Sequence, residues 1–243
     1  MTTISESQGK AAGIAGVLYL LMAISAPFAL IYIPSKLIVP GDATATADRF
    51  RASESLLRIG IGLELFHQAV AIFLVLALYR LFKAVDENLA VLVVILGALV
   101  SVPIVFLNIL NEIAAQVLVS GADFLSVLGK PQRDALAYLF VRLHEQGLIV
   151  ASIFWGLWLF PLGMLVIRSG FIPRVLGVLL MVAGIAYLAS SGTSLVLPRY
   201  ADVVGRFVMV LYFGELPFIF WLLIRGVRLR PSIAPAGRSP RPS

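Results

Sequence analysis

The sequence predicts an all-α integral membrane protein, a six-helix bundle with cytoplasmic termini. Three observations lead there. Of the 243 residues 60% are hydrophobic and 13% charged, against about 25% charged in a soluble domain, so lipid has to solvate the surplus apolar surface. The apolar residues fall into six runs, each long enough to supply the roughly 20 residues that cross a bilayer. The basic residues flank these runs, as the positive-inside rule expects. They do not gather in one recognition element, so the net charge of +6 implies no nucleic-acid partner. Cysteine is absent, which excludes disulfides, thiolate metal sites and cysteine nucleophiles.

The first helix is expected over Ala11–Ile33, too long for the apolar core of a cleaved signal. Its small residues Ala11, Ala12, Gly13, Ala15 and Gly16 invite close approach by another helix. Pro27 kinks it and Pro34 ends it. Residues 35–55 form the longest connection, with a turn at Pro40-Gly41-Asp42 and an amphipathic lead-in carrying Arg49, Arg51, Glu54 and Arg58. Helix two follows over Leu56–Leu81 and places Glu64, His67 and Gln68 on one face.

Asp86-Glu87-Asn88 is a turn that caps helix three, Leu89–Val119. This helix carries a polar stripe of Asn108, Asn111, Glu112 and Gln116 at i, i+3, i+4 and i+8. Helix four, Asp134–Ile167, holds the densest polar group of the chain, Arg142 with His144-Glu145-Gln146. Helix five, Val175–Val196, offers a contact face through Gly177 and Gly184; its four hydroxyl residues near Ser190 bond their own backbone. Helix six, Val203–Ile224, contains Glu215 two residues before Pro217. Residues 1–226 form one transmembrane domain, and the Arg-, Pro- and Ser-rich tail of 227–243 is expected to be disordered. The short basic turns at Arg80–Lys83 and Arg168–Arg174 put both termini inside.

Ionisable residues at membrane depth are costly and mark functional sites. Both histidines and four of the thirteen carboxylates lie in or beside the apolar runs. Counted up straight helices from the cytoplasmic ends, Glu112, His144 and Glu145 come out about 35 Å high, Glu64 about 24 Å, His67 about 20 Å and Glu215 about 15 Å. That pattern describes an outward-facing polar cavity lined by Arg58, Glu64, His67, Glu112, His144, Glu145 and Glu215. His144, Glu145 and Glu112 are the candidate ligands for a zinc or iron ion at its mouth. Glu64-x-x-His67 resembles half of a di-iron motif, but the second Glu-x-x-His is missing. A haem between His67 and His144 is excluded by a depth difference of about 16 Å. Retinal is excluded because no lysine falls inside an apolar run. For Glu215, buried without a cation unless Arg58 or Arg206 reaches it, the expectation is a neutral, hydrogen-bonding acid. Asn108, Asn111 and Gln116 read as interhelical glue.

Several stretches resemble a family of bacterial multi-pass membrane proteins known as a domain of unknown function (DUF4386). They are residues 12–20 (AGIAGVLYL), 37–42 (LIVPGD), 168–170 with 173–177 (RSG, PRVLG), 197–200 (LPRY) and 214–216 with 221–223 (GEL, WLL). The resemblance spans residues 11 to 226 and implies the six-helix membrane fold and the bacterial inner membrane. Its pattern includes Arg58, Glu64, His144 and Glu215, while His67, Asn111 and Glu112 look particular to this chain. It implies no activity. The leading expectation is binding or handling of a small or lipid-like molecule in the cavity, with membrane lipids as partners. The alternatives are a membrane-embedded enzyme such as a metal-dependent hydrolase, and a structural membrane subunit.

Overall fold

Proline decides how the spans are divided. Its ring clashes with the carbonyl four residues earlier, so a helix that continues past it must widen, tighten or break there. A computed structural model, which describes residues 6–228, does this four times. In the first span α1 (Glu6–Pro27) passes into a π-helical segment over Phe28–Tyr32 and then α2 (Ile33–Leu37), with Leu30 four residues before Pro34. The helix therefore continues through Pro34, where an end was expected. After α3 (Ala43–Ala52) and α4 (Glu54–Phe82), the third span runs from α5 (Glu87–Val94) through a π segment over Ile95–Val100 into α6 (Ser101–Val119). Leu99, four residues before Pro103, lies in that segment.

The fourth span breaks at Trp158, between α7 (Lys130–Leu157) and α8 (Leu159–Ser169), just after Leu157, which lies four residues before Pro161. Straight α9 (Arg174–Val196) follows, after Gly170 closes α8 in the left-handed conformation at φ 71°. The last span is the most divided: a 3₁₀ turn at Pro198–Tyr200, α10 (Ala201–Val208), a 3₁₀ stretch over Met209–Glu215 that includes Phe213, four before Pro217, and α11 (Leu216–Arg228).

Six stretches are long and apolar enough to cross a membrane: Ser7–Leu37, Glu54–Phe82, Glu87–Val119, Lys130–Ser169, Arg174–Val196 and Pro198–Arg225. No strand occurs among the described residues. The chain is a multi-pass, all-α membrane protein, as its composition requires. Of the tail expected to be disordered, 227–243, residues 229–243 lie outside those described, and 227–228 instead end α11.

The principal contacts pair α1 with α4 and α11, α6 with α7, and α9 with α7 and α8. Glycine sets the tightest of them. A Cβ on Gly163 would meet the Gly177 carbonyl oxygen at 2.7 Å, and one on Gly184 would meet that of Gly156 at 2.8 Å. The expected Gly177–Gly184 face is thus matched by two glycines across the interface. Gly16 does the same for α1, its Cβ position lying 2.8 Å from the Leu223 backbone nitrogen.

Two apolar clusters result. One holds Leu74, Leu78, Leu81 and Phe82 of α4 against Leu159, Leu162, Phe218 and Leu222, at the end of the bundle that carries the termini. The other, at the opposite end, joins Ile33, Phe50, Leu57, Val105, Ile109 and Val141. The connection expected as an amphipathic lead-in folds as a separate helix, α3. Asp42 caps it by accepting from the Ala45 N–H at 2.8 Å, and Gly41 makes the preceding turn at φ 79°. Its buried face, Thr46, Ala47 and Phe50, rests on the first turns of α7.

A charged clasp fastens that contact. Arg51 pairs with Asp48 at 2.7 Å and with the buried carboxylate of Asp134, and Lys130 joins the same two acids at 3.0 and 2.9 Å. The Lys130 ammonium, aided by Arg51, holds the Asp48 carboxyl below the usual carboxylate range.

Candidate functional site

Three spans converge on one imidazole. His144 projects from α7 with its Nε2 3.3 Å from Glu64 Oε1 of α4 and 3.7 Å from Glu112 Oε1 of α6. One donor atom from each residue fits within a mutual separation of 4.8 Å. Glu64 is 4% exposed and His144 6%. The second oxygens, Glu64 Oε2 and Glu112 Oε2, are buried and have no hydrogen-bond partner among the described residues. Buried polar atoms are paired in the large majority of cases, so two unpaired carboxylate oxygens in one cluster need a reason.

The far side of the imidazole is held by Asn108. Its side-chain amide donates to the His144 backbone carbonyl at 2.9 Å, and its own backbone carbonyl lies 3.3 Å from His144 Nδ1. Asn111 steadies Asn108 by donating to its Oδ1 at 3.1 Å. The Asn108 amide nitrogen is also 3.2 Å from Nδ1, so Asn108 holds this side of the ring in either tautomer and Nε2 faces the two acids. Gly147 makes the arrangement possible: a Cβ there would collide with the Asn108 side chain.

The grouping differs from the expectation in one member. Glu145 faces away and pairs with Arg142 on a half-buried surface, and Glu64 takes its place beside His144. Adjacent helix residues point about 100° apart, so only one of His144 and Glu145 can face the bundle interior. Glu64 was set about 11 Å deeper than His144 because depth was counted along straight helices. The fourth span is 40 residues long and broken at Trp158, so that count overstates the height of His144. Arg58 is exposed and bonded to Glu54, 2.6 Å away one turn earlier on α4, so it does not line the site.

His67 lies apart from the trio. Its Nδ1 is 2.8 Å from the Ser25 hydroxyl of α1. It lines a small inner cavity of about 20 Å³ with Glu64, Gln68, Leu148 and Trp155, enough for roughly one water. Ser25 also opens onto a second space, a groove of about 340 Å³ between α1 and α4, lined by Leu21, Ile24, Phe28, Tyr32, Leu63 and Phe66 among others. Of these Leu21, Ile24, Phe28, Tyr32 and Phe66 are exposed, on surface that a bilayer would cover. Of the residues expected to line a polar cavity, Glu64 and His67 border this small space, and the larger one beside it is apolar.

Glu215 forms a separate site at the 3₁₀-to-α junction before Pro217. The Tyr19 hydroxyl of α1 donates to its Oε2, and Tyr187 of α9 lies beside the same carboxyl. Tyr187 in turn stacks on Tyr212 with ring centroids 4.5 Å apart. Neither Arg58 nor Arg206 reaches it; Arg206 donates to the Asp202 carbonyl at 3.2 Å. A tyrosine within an apolar run carries little sign of such a role. The one available hint was that Tyr19 falls on the small-residue face of α1, where another helix has to pack.

The family model for the domain of unknown function DUF4386 matches residues 14–226. The chain belongs to this family. Among curated proteins this DUF4386 chain is 39% identical over 77 residues to an uncharacterized protein of Archaeoglobus fulgidus. The match takes in 32% of this chain and 44% of the relative, so it covers less than half the length of that protein. No solved structure matches.

Proposed function

We propose that this DUF4386 protein binds a lipid-like amphiphile, its apolar chain in the groove between α1 and α4 and its polar head against Ser25 and His67. One observation carries the reading. Ser25 belongs to the groove wall and is hydrogen-bonded to His67, which lines the inner cavity with Glu64. An apolar trough with hydrogen-bonding groups at its floor matches a molecule with one oily end and one polar end. Its volume of about 340 Å³ falls in the range of roughly 300–1,000 Å³ usual for small-molecule sites. The basic turns at Arg80–Lys83 and Arg168–Arg174 support cytoplasmic termini in a bacterial inner membrane, which would open the Glu64 end of the bundle toward the outside. A reporter fused after Arg225 tests that orientation and should read cytoplasmic.

Binding itself is testable through Trp155, which lines the inner cavity. With Trp158 and Trp221 replaced by Phe, Trp155 is the sole tryptophan. A brominated fatty acid should quench its fluorescence saturably, and an unlabelled fatty acid should restore it. Leu63→Trp, placed in the Trp155→Phe background as a groove plug and followed by retention of radiolabelled fatty acid, should cut binding at least tenfold. Quenching that rises linearly with bromolipid and is not reversed by competitor would mean ordinary bilayer contact and sink the reading.

A further inference from the structure

We propose that Glu64, Glu112 and His144 form a binding site for one divalent first-row transition-metal ion, of which zinc and manganese are the best-matched members. This is independent of what fills the groove. The donor set is one imidazole and two carboxylates. Imidazole favours such metals over calcium or magnesium, while carboxylates suit zinc, iron and manganese. Bonds of about 2.0–2.2 Å place tetrahedral neighbours roughly 3.4 Å apart. The Nε2 to Oε1 separations of 3.3 and 3.7 Å match that spacing before any adjustment.

Three further features point to a cation rather than to a self-contained network. Glu64 Oε2 and Glu112 Oε2 are buried with no hydrogen-bond partner among the described residues, and Glu64 is more than nine-tenths buried. A network complete in itself would supply them with donors, as Tyr19 does for Glu215. The Nδ1 of His144 faces the Asn108 backbone carbonyl. Held on that side by Asn108, the ring turns Nε2 to the acids, and its other nitrogen meets a backbone carbonyl as in metal-bound histidines. Charge gives the third argument. Two carboxylates deep in a membrane protein are costly to keep ionised, and a divalent ion makes the assembly neutral. Three protein ligands leave a position for water or a substrate atom, and Glu64 also lines the inner cavity of about 20 Å³.

The test uses full-length protein in detergent, stripped with chelator, reloaded with Zn²⁺ or Mn²⁺ alone, desalted and assayed by elemental mass spectrometry. The wild type should retain about one equivalent and gain several degrees in Tm with the ion. Glu112→Gln, which keeps the shape of the side chain, should lose affinity at least a hundredfold and show no metal-dependent rise in Tm. Glu145→Gln should behave as the wild type. If His144→Ala aggregates, Glu112→Gln decides alone, since its Tm without metal reports its folding. A wild type with neither retained metal nor a Tm response overturns the proposal, and so does equal retention by wild type and Glu112→Gln.

Discussion

Glu64 and Glu215 are both carboxylates within the spans, the first buried and the second partly so, and their surroundings are opposite. Glu215 accepts a hydrogen bond from the Tyr19 hydroxyl, a neutral donor on another helix, with Tyr187 of a third helix beside it. Glu64 shares an imidazole with a second acid, and one oxygen of each acid has no donor among the described residues. In lipid a polar group is tolerated when the protein satisfies it. By that standard the Glu215 site is finished by the fold, and the Glu64 site is finished only by something that arrives from outside. A buried acid by itself therefore does not signal a site; what matters is whether its partners are already present.

The largest expected effect lies on the finished side. Glu215→Ala strands the Tyr19 hydroxyl and opens a void, which should cost about 2–4 kcal/mol of stability. Glu215→Gln keeps a carbonyl to accept from Tyr19 and should cost under about 1 kcal/mol. Thermal unfolding in detergent separates the two; equal losses would mean that the carboxylate charge itself is needed and would erase the contrast with Glu64.

Gly147→Ala comes next, acting on the unfinished side without touching a ligand. The added Cβ expels the Asn108 side chain from its place behind His144. Overpacking of this kind costs about 1–3 kcal/mol, and loss of the group that orients a ligand weakens metal binding roughly 10–100-fold. Normal metal retention in this variant would show that Asn108 does not position the ring.

The comparison is sharpest where the sign of an effect reverses. In the presence of chelator Glu112→Gln removes one of two neighbouring like charges, so it should be more stable than the wild type by something on the order of 1 kcal/mol. With Zn²⁺ added the order should invert. Glu215→Gln should show no such dependence. A Glu112→Gln variant less stable than wild type in chelator would argue that the acids are already satisfied.

The smallest effect belongs to the clasp on α3, well away from both sites. Asp48 has its folded-state acidity raised, mainly by the Lys130 ammonium. A depressed carboxyl contributes stability that is present above its unfolded value of about 4 and is lost as pH falls through the lower folded value. Between pH 5 and 8 the clasp should therefore contribute evenly, and acid unfolding below about pH 4 should be slightly less steep in Asp48→Asn. Glu145→Gln should change stability by less than about 0.5 kcal/mol at any of these values.

Much of this was legible in the sequence, for identifiable reasons. Six spans follow from hydrophobic run length alone, and the Gly177–Gly184 face follows from helical spacing. Glu64, Glu112, His144 and Glu215 were visible as ionisable groups in apolar surroundings. Their grouping was not, because it depends on the relative height of separate helices. That height is set by the broken fourth span and by π segments opposite Pro34 and Pro103, which no count of residues along a rod contains. The choice between His144 and Glu145 turned on which of two adjacent residues faces inward. Tyr19 was hidden for a different reason: a phenol costs little to bury, so beyond its place on the small-residue face of α1 the sequence does not mark it as a partner for Glu215.

The clasp around Asp134 has a further consequence for how the protein sits in its bilayer. The fourth span would measure about 60 Å if straight, twice the thickness of the hydrocarbon layer. Arg51, Lys130, Asp48 and Asp134 are too polar to sink into that layer, so they act as a float that holds the first turns of α7 at the water line. His144 lies ten residues further along α7, about 15 Å below the float. The draught of the molecule is thus fixed by side chains that touch neither candidate site. An ion bound at His144, as proposed, would shed its hydration at a depth those four charges help to set.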